Sequence, residues 1–399
     1  MIYSVVSGQY SYIIPLSVHE YPITLPMDGI CQLSRFNARC LTIMILQTCN
    51  DMFVCVFQHV RRQFSPFLPD PTVKGNYLVT WYDIPFFNKV RPATLNRTFD
   101  SCEYNNCVLS ISRADVCNSH AVIFKGRYLP NLRYPLQRPV GQVWIFAEEE
   151  SPQTYDLDTA KWSLPGYKNV FNWTMTYDRL KSDIYLPYGE VVRRTKPVER
   201  DFLAIAKAKT KDAIIITSHC ETDAKRLEYV HELQKYIQVD VMGGCGQEWR
   251  CGELYVHDDC FSILNTTYRY YLAFENSFCR GYRTEKFFEN FPYDLLMITR
   301  GDMSLFKEEP KDSYIATSEF KSVADLGNYL KSVSESPEKY AELLRKKSQY
   351  ESLPYEQVYE KSLCEICKRM NFQSKHRKLV SDLDKWRDVD NACYLPTDL

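Results

Sequence analysis

The stretch from residue 213 to 243 constrains the fold more than any other part of the chain. Ala213-Ile-Ile-Ile-Thr217 is an unbroken apolar run, which suits a strand covered on both faces and hence a parallel sheet. A helix follows from about Asp223, with Leu227, Val230, Leu233 and Ile237 on one stripe. Val239-Asp-Val-Met-Gly243 then reads as a second strand ending in glycines. Strand, helix and strand make one βαβ unit, and such crossovers present ligand loops at the carboxyl ends of the strands. Apolar runs at 268–275, 295–299 and 313–316 add strands, and Ser322-Val-Ala-Asp325 and Ser336-Pro337 start two further helices as caps. Upstream, short apolar runs at 77–81, 108–111, 121–124 and 142–147, bounded by Pro, Gly, Asn or Asp, predict an earlier α/β domain. The charged segment 191–211, with Arg193, Arg194, Lys196, Arg200, Lys207, Lys209 and Lys211, is expected to be a linker or a solvated helix between them. Two α/β domains in tandem imply a cleft.

Length and charge narrow the function. At 399 residues the chain is long enough for two or three domains. Forty-nine Lys and Arg against 50 Asp and Glu leave a net charge of −1, so no basic field exists to attract nucleic acid or an anionic membrane. Fifteen cysteines, together with the sequons Asn96-Arg-Thr, Asn172-Trp-Thr and Asn265-Thr-Thr, favour an oxidising secretory lumen. Cys364-Glu-Ile-Cys367 has no second pair to complete a zinc site, and a disulfide cluster with Cys393 is the preferred reading over zinc. No basic region precedes Arg35, so a cleaved signal peptide is not visible. Residues 40–57 are the best membrane candidate, but Gln47, Thr48, Asn50 and Asp51 interrupt them, and a packed or irregular segment is the alternative.

The richest chemistry lies in Phe274-Glu-Asn-Ser277 followed by Gly281-Tyr-Arg-Thr-Glu-Lys286. A strand end, a turn and a helix start near Thr284 bring backbone N–H groups and Lys286 to a place where an anion could sit. Asn276 and Glu285 could take sugar hydroxyls, and the plain alternative is a capped helix with exposed charges. Asp156-Leu-Asp158, Asp382-Leu-Asp384 and Asp388-Val-Asp390 have the spacing of a metal-binding Asp-x-Asp pair, which is common by chance. His219 and His257 read as ordinary loop residues.

Several segments in order resemble the α-1,3/4-fucosyltransferases, inverting enzymes that use GDP-fucose. They are Tyr77-Leu-Val-Thr-Trp81; Arg138-Pro-Val-Gly-Gln-Val-Trp with Glu150-Ser-Pro152; Phe171-Asn-Trp-Thr-Met-Thr-Tyr177 through Ser182-Asp-Ile-Tyr-Leu-Pro-Tyr-Gly189; Arg226-Leu-Glu-Tyr-Val; Gly244-Cys-Gly246; the 274–286 signature; and the pattern from Cys364 to Cys393. The resemblance covers roughly residues 75–393 and implies an α/β GT-B fold, two Rossmann-like domains facing a central cleft. The implied organisation is an N-terminal region at 1–74 with a weak candidate anchor and stem, an acceptor domain at 75–195, a GDP-fucose domain at 196–365 and a disulfide-linked tail at 366–399.

Carried over residue by residue, the resemblance implies that Glu150 is the catalytic base and that Arg226 and Lys286 contact the diphosphate. Asn276, Tyr282 and Glu285 fall at positions that hold guanosine ribose and fucose. GDP-fucose would be the donor, with no cofactor and no metal required by the site. The partners would be glycan acceptors on glycoproteins or glycolipids, with no nucleic acid, in a Golgi lumen and in association with its membrane. A glutamate is a suitable base for inversion once its pKa is tuned, and Glu148 and Glu149 beside Glu150 are expected to raise it by like charge while themselves forming a solvated acidic turn. Cations then stabilise the leaving diphosphate.

Two departures from the family pattern stand out. After Lys286 the family carries small residues, whereas this chain runs Phe287-Phe-Glu-Asn-Phe291, which puts the donor-pocket shape in question; the N-terminal apolar segment is also weaker than usual. The alternative is therefore a catalytically inactive glycan-binding homologue, and a different sugar donor is a third reading.

Overall fold

The computed structural model describes residues 4–6, 9–12, 23–25, 76–82, 99–131, 138–153, 167–196, 198–249, 262–306 and 310–399. The candidate anchor at 40–57, Cys31, Cys40, Cys49, Cys55, the sequon at Asn96, Asp156-Leu-Asp158 and His257 lie outside them. Residues 1–54 form a unit of their own, with a small antiparallel sheet of Ser4–Val6, Gln9–Tyr12 and Ile23–Leu25.

The remainder holds two parallel sheets. The first contains β1 (Tyr77–Trp81), β2 (Cys107–Ser110), β3 (Ala121–Lys125), β4 (Val143–Glu148), β5 (Trp173–Thr176) and β6 (Ile184–Tyr185), in the order β2-β1-β3-β4-β5-β6. Every residue of β3 and β4 is buried, which explains why they read as continuous apolar runs. Period-two alternation splits them between two cores: Ala121, Ile123, Val143 and Ile145 face one layer, and Val122, Phe124, Trp144 and Phe146 the other.

The chain then leaves through β7 (Glu190–Arg193) and α1 (Phe202–Ala208). The predicted linker is thus partly strand, and Asp201 caps α1 by accepting the Ala204 N–H at 2.9 Å. The second sheet is formed by β8 (Lys211–Ile216), β9 (Val239–Met242), β10 (Tyr268–Phe274), β11 (Leu296–Arg300) and β12 (Ile315–Ala316), with α2 (Arg226–Leu233) crossing between β8 and β9. Its order is β9-β8-β10-β11-β12, all parallel. α3 (Ser262–Thr266) precedes β10 and α4 (Glu285–Phe288) follows it. α5 (Val323–Ser334) and α6 (Pro337–Lys347) start at Ser322 and Ser336, whose side chains accept the N–H three residues on. They cover one face together with α1 and α2.

The chain then returns to the first sheet. β13 (Tyr350–Leu353) pairs antiparallel with β7, so the outgoing and returning strands cross between the domains side by side. α7 (Tyr355–Asn371) follows and lays Tyr359, Leu363, Ile366, Cys367 and Met370 on the first sheet, where Trp81 Nε1 donates to Tyr359 Oη at 2.5 Å. The boundary expected at residue 365 falls inside this helix. Finally α8 (Leu383–Arg387) packs Leu383 on the sheet's other face.

The cysteine expectation needs correcting in its partners. Cys364 pairs with Cys102, Cys367 with Cys107, and Cys393 with Cys279, while Cys220 pairs with Cys245. Cys364 and Cys367 lie one turn apart on α7 and so reach Cys102 in the turn before β2 and Cys107 at its start, rather than Cys393 or a zinc ion. The sequon Asn172 is also committed to the fold: its Oδ1 accepts the Trp144 N–H at 3.0 Å and its Nδ2 donates to the Lys378 carbonyl at 3.0 Å. Asn265 Oδ1 likewise accepts the Asp294 N–H at 2.7 Å.

The two bridges from α7 close nearly the same loop, with separations of 262 and 260 residues. Replacing the Cys102–Cys364 pair by serines should cost only about 2.5 kcal/mol in chain entropy, since the neighbouring bridge still closes the large loop. Replacing both pairs should remove about 5 kcal/mol more. Denaturant titration of the single-bridge and double-bridge variants checks this, and equal losses for the two steps would refute it.

Candidate active site

The site lies at the carboxyl ends of β4 and β10, as parallel sheets require. β4 ends at Glu148, and the chain runs on through Glu149 and Glu150. The solvated acidic turn expected for Glu148 and Glu149 is not found. Both are buried, at 5% and 6% exposure, because Lys125 at the end of β3 reaches them at 3.2 and 2.7 Å. Tyr355 Oη also donates to the Glu149 carboxylate, and Tyr188 Oη donates to the Glu149 carbonyl at 2.9 Å. Glu150 is partly open, with 23% of its side chain exposed. The three carboxylates are thus not an unscreened acidic run.

The 274–286 signature faces Glu150 from the other domain. Tyr282 is buried, and its Oη donates to Glu150 Oε2 at 2.9 Å. Burial, with the Glu150 charge adding to it, pushes the Tyr282 pKa well above 10, so this phenol remains a neutral donor. Tyr177 packs on it, with ring centroids 5.0 Å apart. A second cross-domain tie joins Ser151 Oγ to Ser277 Oγ at 2.9 Å.

The anion at the start of α4 is one of the protein's own. Glu275 is 1% exposed, and its carboxylate accepts the Thr284 N–H at 2.8 Å and the Thr284 hydroxyl at 2.9 Å. Burial raises its pKa, with Lys286 opposing. Lys286 Nζ lies 2.8 Å from Glu285 Oε1, 3.0 Å from Thr284 Oγ1 and 3.7 Å from Glu275 Oε2. Burial acts to lower the Lys286 pKa, but Glu285 and Glu275 outweigh it and the shift is upward, which keeps the ammonium charged. Thr284 and Glu275 are therefore the parts that the sequence reading missed: the conspicuous charged residues drew attention, while the buried carboxylate that aims them is an unremarkable Glu at a strand end.

Buried polar atoms without a partner sit instead around the start of α2. Arg226 is its first residue, 2% exposed, and its Nη2 donates to the His219 carbonyl at 2.7 Å. Burial lowers its pKa, with Glu275 opposing. Its Nε has no partner, and neither have the buried Thr222 Oγ1 and Asn276 Oδ1. Asn276 is tied to this corner by the Ala224 N–H, which donates to its carbonyl at 3.3 Å. Buried polar groups left unpaired are costly, so three at one corner make it a candidate place for a polar ligand. Arg300 supports it from below: its guanidinium donates to the Ala224 carbonyl at 2.5 Å and pairs with Asp398 at 2.7 and 2.8 Å. The Cys220–Cys245 bridge fixes the adjoining loop, where Gly243 adopts φ +91° and a Cβ would lie 2.7 Å from the Thr217 carbonyl oxygen.

The remaining candidates resolve simply. Phe287, Phe288 and Phe291 are buried in the core on one face of the second sheet, so the bulky segment after Lys286 fills the interior there. Asp382 caps α8 and Asp388 pairs with Lys181 at 3.1 Å. Among the described residues no group of three or more His, Cys, Asp or Glu side chains is placed to hold a metal ion. His219 is an exposed loop residue. A recess of about 30 Å³ adjoins Glu150, lined by Phe146, Tyr177, Asp178, Lys181 and Trp386 among others.

The sequence matches two family profiles. Residues 74–189 match "Fucosyltransferase, N-terminal", and residues 206–386 match "Glycosyltransferase family 10 (fucosyltransferase) C-term". Alpha-(1,3)-fucosyltransferase C of Drosophila melanogaster is 32% identical over 297 residues, covering 69% of this chain and 66% of that protein, so the chain spans just under two thirds of that relative's length. 4-Galactosyl-N-acetylglucosaminide 3-alpha-L-fucosyltransferase 9 of Mus musculus is 31% identical over 304 residues, covering 73% of this chain and 79% of that protein. A crystal structure of an α1,3-fucosyltransferase with GDP-fucose aligns with a TM-score of 0.46 and 14% identity, over 80% of this chain and 97% of the other. On its sequence matches, the chain belongs to the fucosyltransferases of glycosyltransferase family 10.

Proposed function

We propose that this protein is an inverting α-1,3-fucosyltransferase that moves fucose from GDP-fucose to a GlcNAc hydroxyl of a glycoprotein or glycolipid glycan. The observation that carries this reading is the 2.9 Å bond from Tyr282 Oη to Glu150 Oε2, which joins the open carboxylate of the first domain to the signature of the second. In the proposed step Glu150 removes the proton from the acceptor hydroxyl as that oxygen attacks the anomeric carbon. The bond from that carbon to the diphosphate oxygen breaks, GDP leaves, and the configuration inverts. Lys286 and the corner of Arg226, Thr222 and Asn276 would meet the diphosphate and sugar of the donor, with Glu285 on the fucose side. These cations suffice for the leaving group in this reading, without a divalent metal.

A Golgi lumen is the proposed setting. All nine described cysteines are disulfide-bonded, which supports an oxidising compartment. Among the described residues no helix is long and apolar enough to cross a membrane, so association through residues 40–57 is a proposal from sequence alone.

Incubation with GDP-fucose and a panel of N-glycan and lactosamine acceptors should give a fucosylated product, and folded protein that transfers to none would overturn the reading. Calorimetry with GDP separates an inactive homologue with a changed donor site from an enzyme awaiting its acceptor. Glu150→Gln should bind GDP normally while losing at least about a hundredfold in kcat. Lys286→Ala should weaken GDP binding by about tenfold to a hundredfold, the worth of one charge-assisted contact; undiminished affinity would remove Lys286 from the diphosphate site.

A further inference from the structure

Glu148 has more hydrogen-bond partners than a solvent-avoiding carboxylate at a strand end needs, and their identity is informative. Its Oε1 accepts the N–H of Glu149 at 2.9 Å and the N–H of Glu150 at 3.2 Å, and Lys125 Nζ lies 3.2 Å from the same oxygen. Its Oε2 accepts the N–H of Arg127 at 2.8 Å. The carboxylate therefore grips the peptide of Glu150 on one side and the peptide of Arg127 on the other. Arg127 in turn sends its guanidinium to within 3.7 Å of Glu150 Oε1. One buried group thus sets both the backbone that carries Glu150 and the cation nearest its free oxygen.

We propose that Glu148 is a positioning residue for Glu150, holding the base and its Arg127 neighbour in the geometry that proton transfer requires. The inference rests on the reading of Glu150 as the base. Its physical content is that Glu150 lies two residues beyond the end of β4 and is not itself in a strand or helix, so ordinary ladder hydrogen bonds do not fix it. The carboxylate of Glu148 supplies a constraint on the N–H side of that peptide, and Lys125, shared with Glu149, together with the three backbone N–H groups makes its burial tolerable. Tyr355 holds the side chain of the intervening Glu149, and Tyr188 holds the carbonyl side of the same peptide whose N–H Glu148 accepts, so the two grips act on one amide plane from opposite edges.

The test uses the full chain and two variants. Glu148→Gln replaces one acceptor oxygen by an N–H₂ group, which must then face either the Arg127 N–H or the Glu149 and Glu150 N–H groups. Gly126→Ala keeps the carboxylate but adds a carbon that would lie 2.7 Å from Glu148 Oε2 and 2.9 Å from the Phe146 ring, displacing it. Both should lower kcat per folded molecule by about tenfold to a hundredfold, the usual cost of loosening a catalytic group's support. KM for GDP-fucose and the calorimetric affinity for GDP should stay within about twofold, because the donor corner is untouched. A fall in thermal midpoint with kcat unchanged in either folded variant would show a purely structural role and overturn the proposal. So would a parallel loss of GDP affinity. If Glu150→Gln retains turnover, the base assignment itself fails, a result distinguishable from a Glu150 that is essential but indifferent to Glu148.

Discussion

Among the described residues, the helix on one face of the first sheet is not supplied by that sheet's own half of the sequence. The sheet's strands end by residue 185, and the helix that seals one face comes from residues 355–371, after the whole second domain has been built. That arrangement shapes much else. It obliges the chain to cross between the domains twice, and the two crossings pair as β7 and β13, a two-stranded ribbon instead of a free linker. It also brings Tyr355 to Glu149 and sets two disulfides between α7 and the turn and first residue of β2. The cleft that holds Glu150 and Tyr282 is thus framed by a chain that returns to where it started.

The site shows how charge is handled without a net basic surface. Several cations around the site are aimed by carboxylates, while Arg226 is held by backbone carbonyls. Glu275 and Glu285 hold Lys286, Asp398 holds Arg300 under the α2 corner, and Lys125 bridges the two carboxylates behind Glu150. Such pairs contribute little to stability after desolvation, and their use is to fix position. A near-neutral chain with a precise local field is the outcome, which agrees with the overall charge of −1.

Much of this was legible in the sequence where burial leaves a one-dimensional trace. Strands covered on both faces must be apolar throughout, so Ala213-Ile-Ile-Ile and the β3 and β4 runs declared themselves, and Ser322 and Ser336 announced helices through local capping. The meeting of Glu150 with Tyr282, 132 residues apart, was reachable only through the family resemblance. What stayed hidden depends on partners far along the chain. Glu148 and Glu149 look solvated because their lysine is 24 residues upstream of Glu149 and their tyrosine 206 downstream. Cysteine spacing says nothing of destination, so the grouping of Cys364 and Cys367 with Cys393 was natural and incorrect. Thr222 carries no sequence signal at all, being one threonine in a loop.

The late arrival of α7 also dictates the order of events at the ribosome. Cys102 and Cys107 emerge about 260 residues before their partners. At ~5–20 residues per second, the apolar face of the first sheet and its two thiols wait roughly 13–52 s for the helix that covers them. During that interval any nearby thiol, including each other, is an available partner. This protein's yield should therefore be governed less by its final stability than by how well a chaperone and a disulfide isomerase guard a half-finished domain.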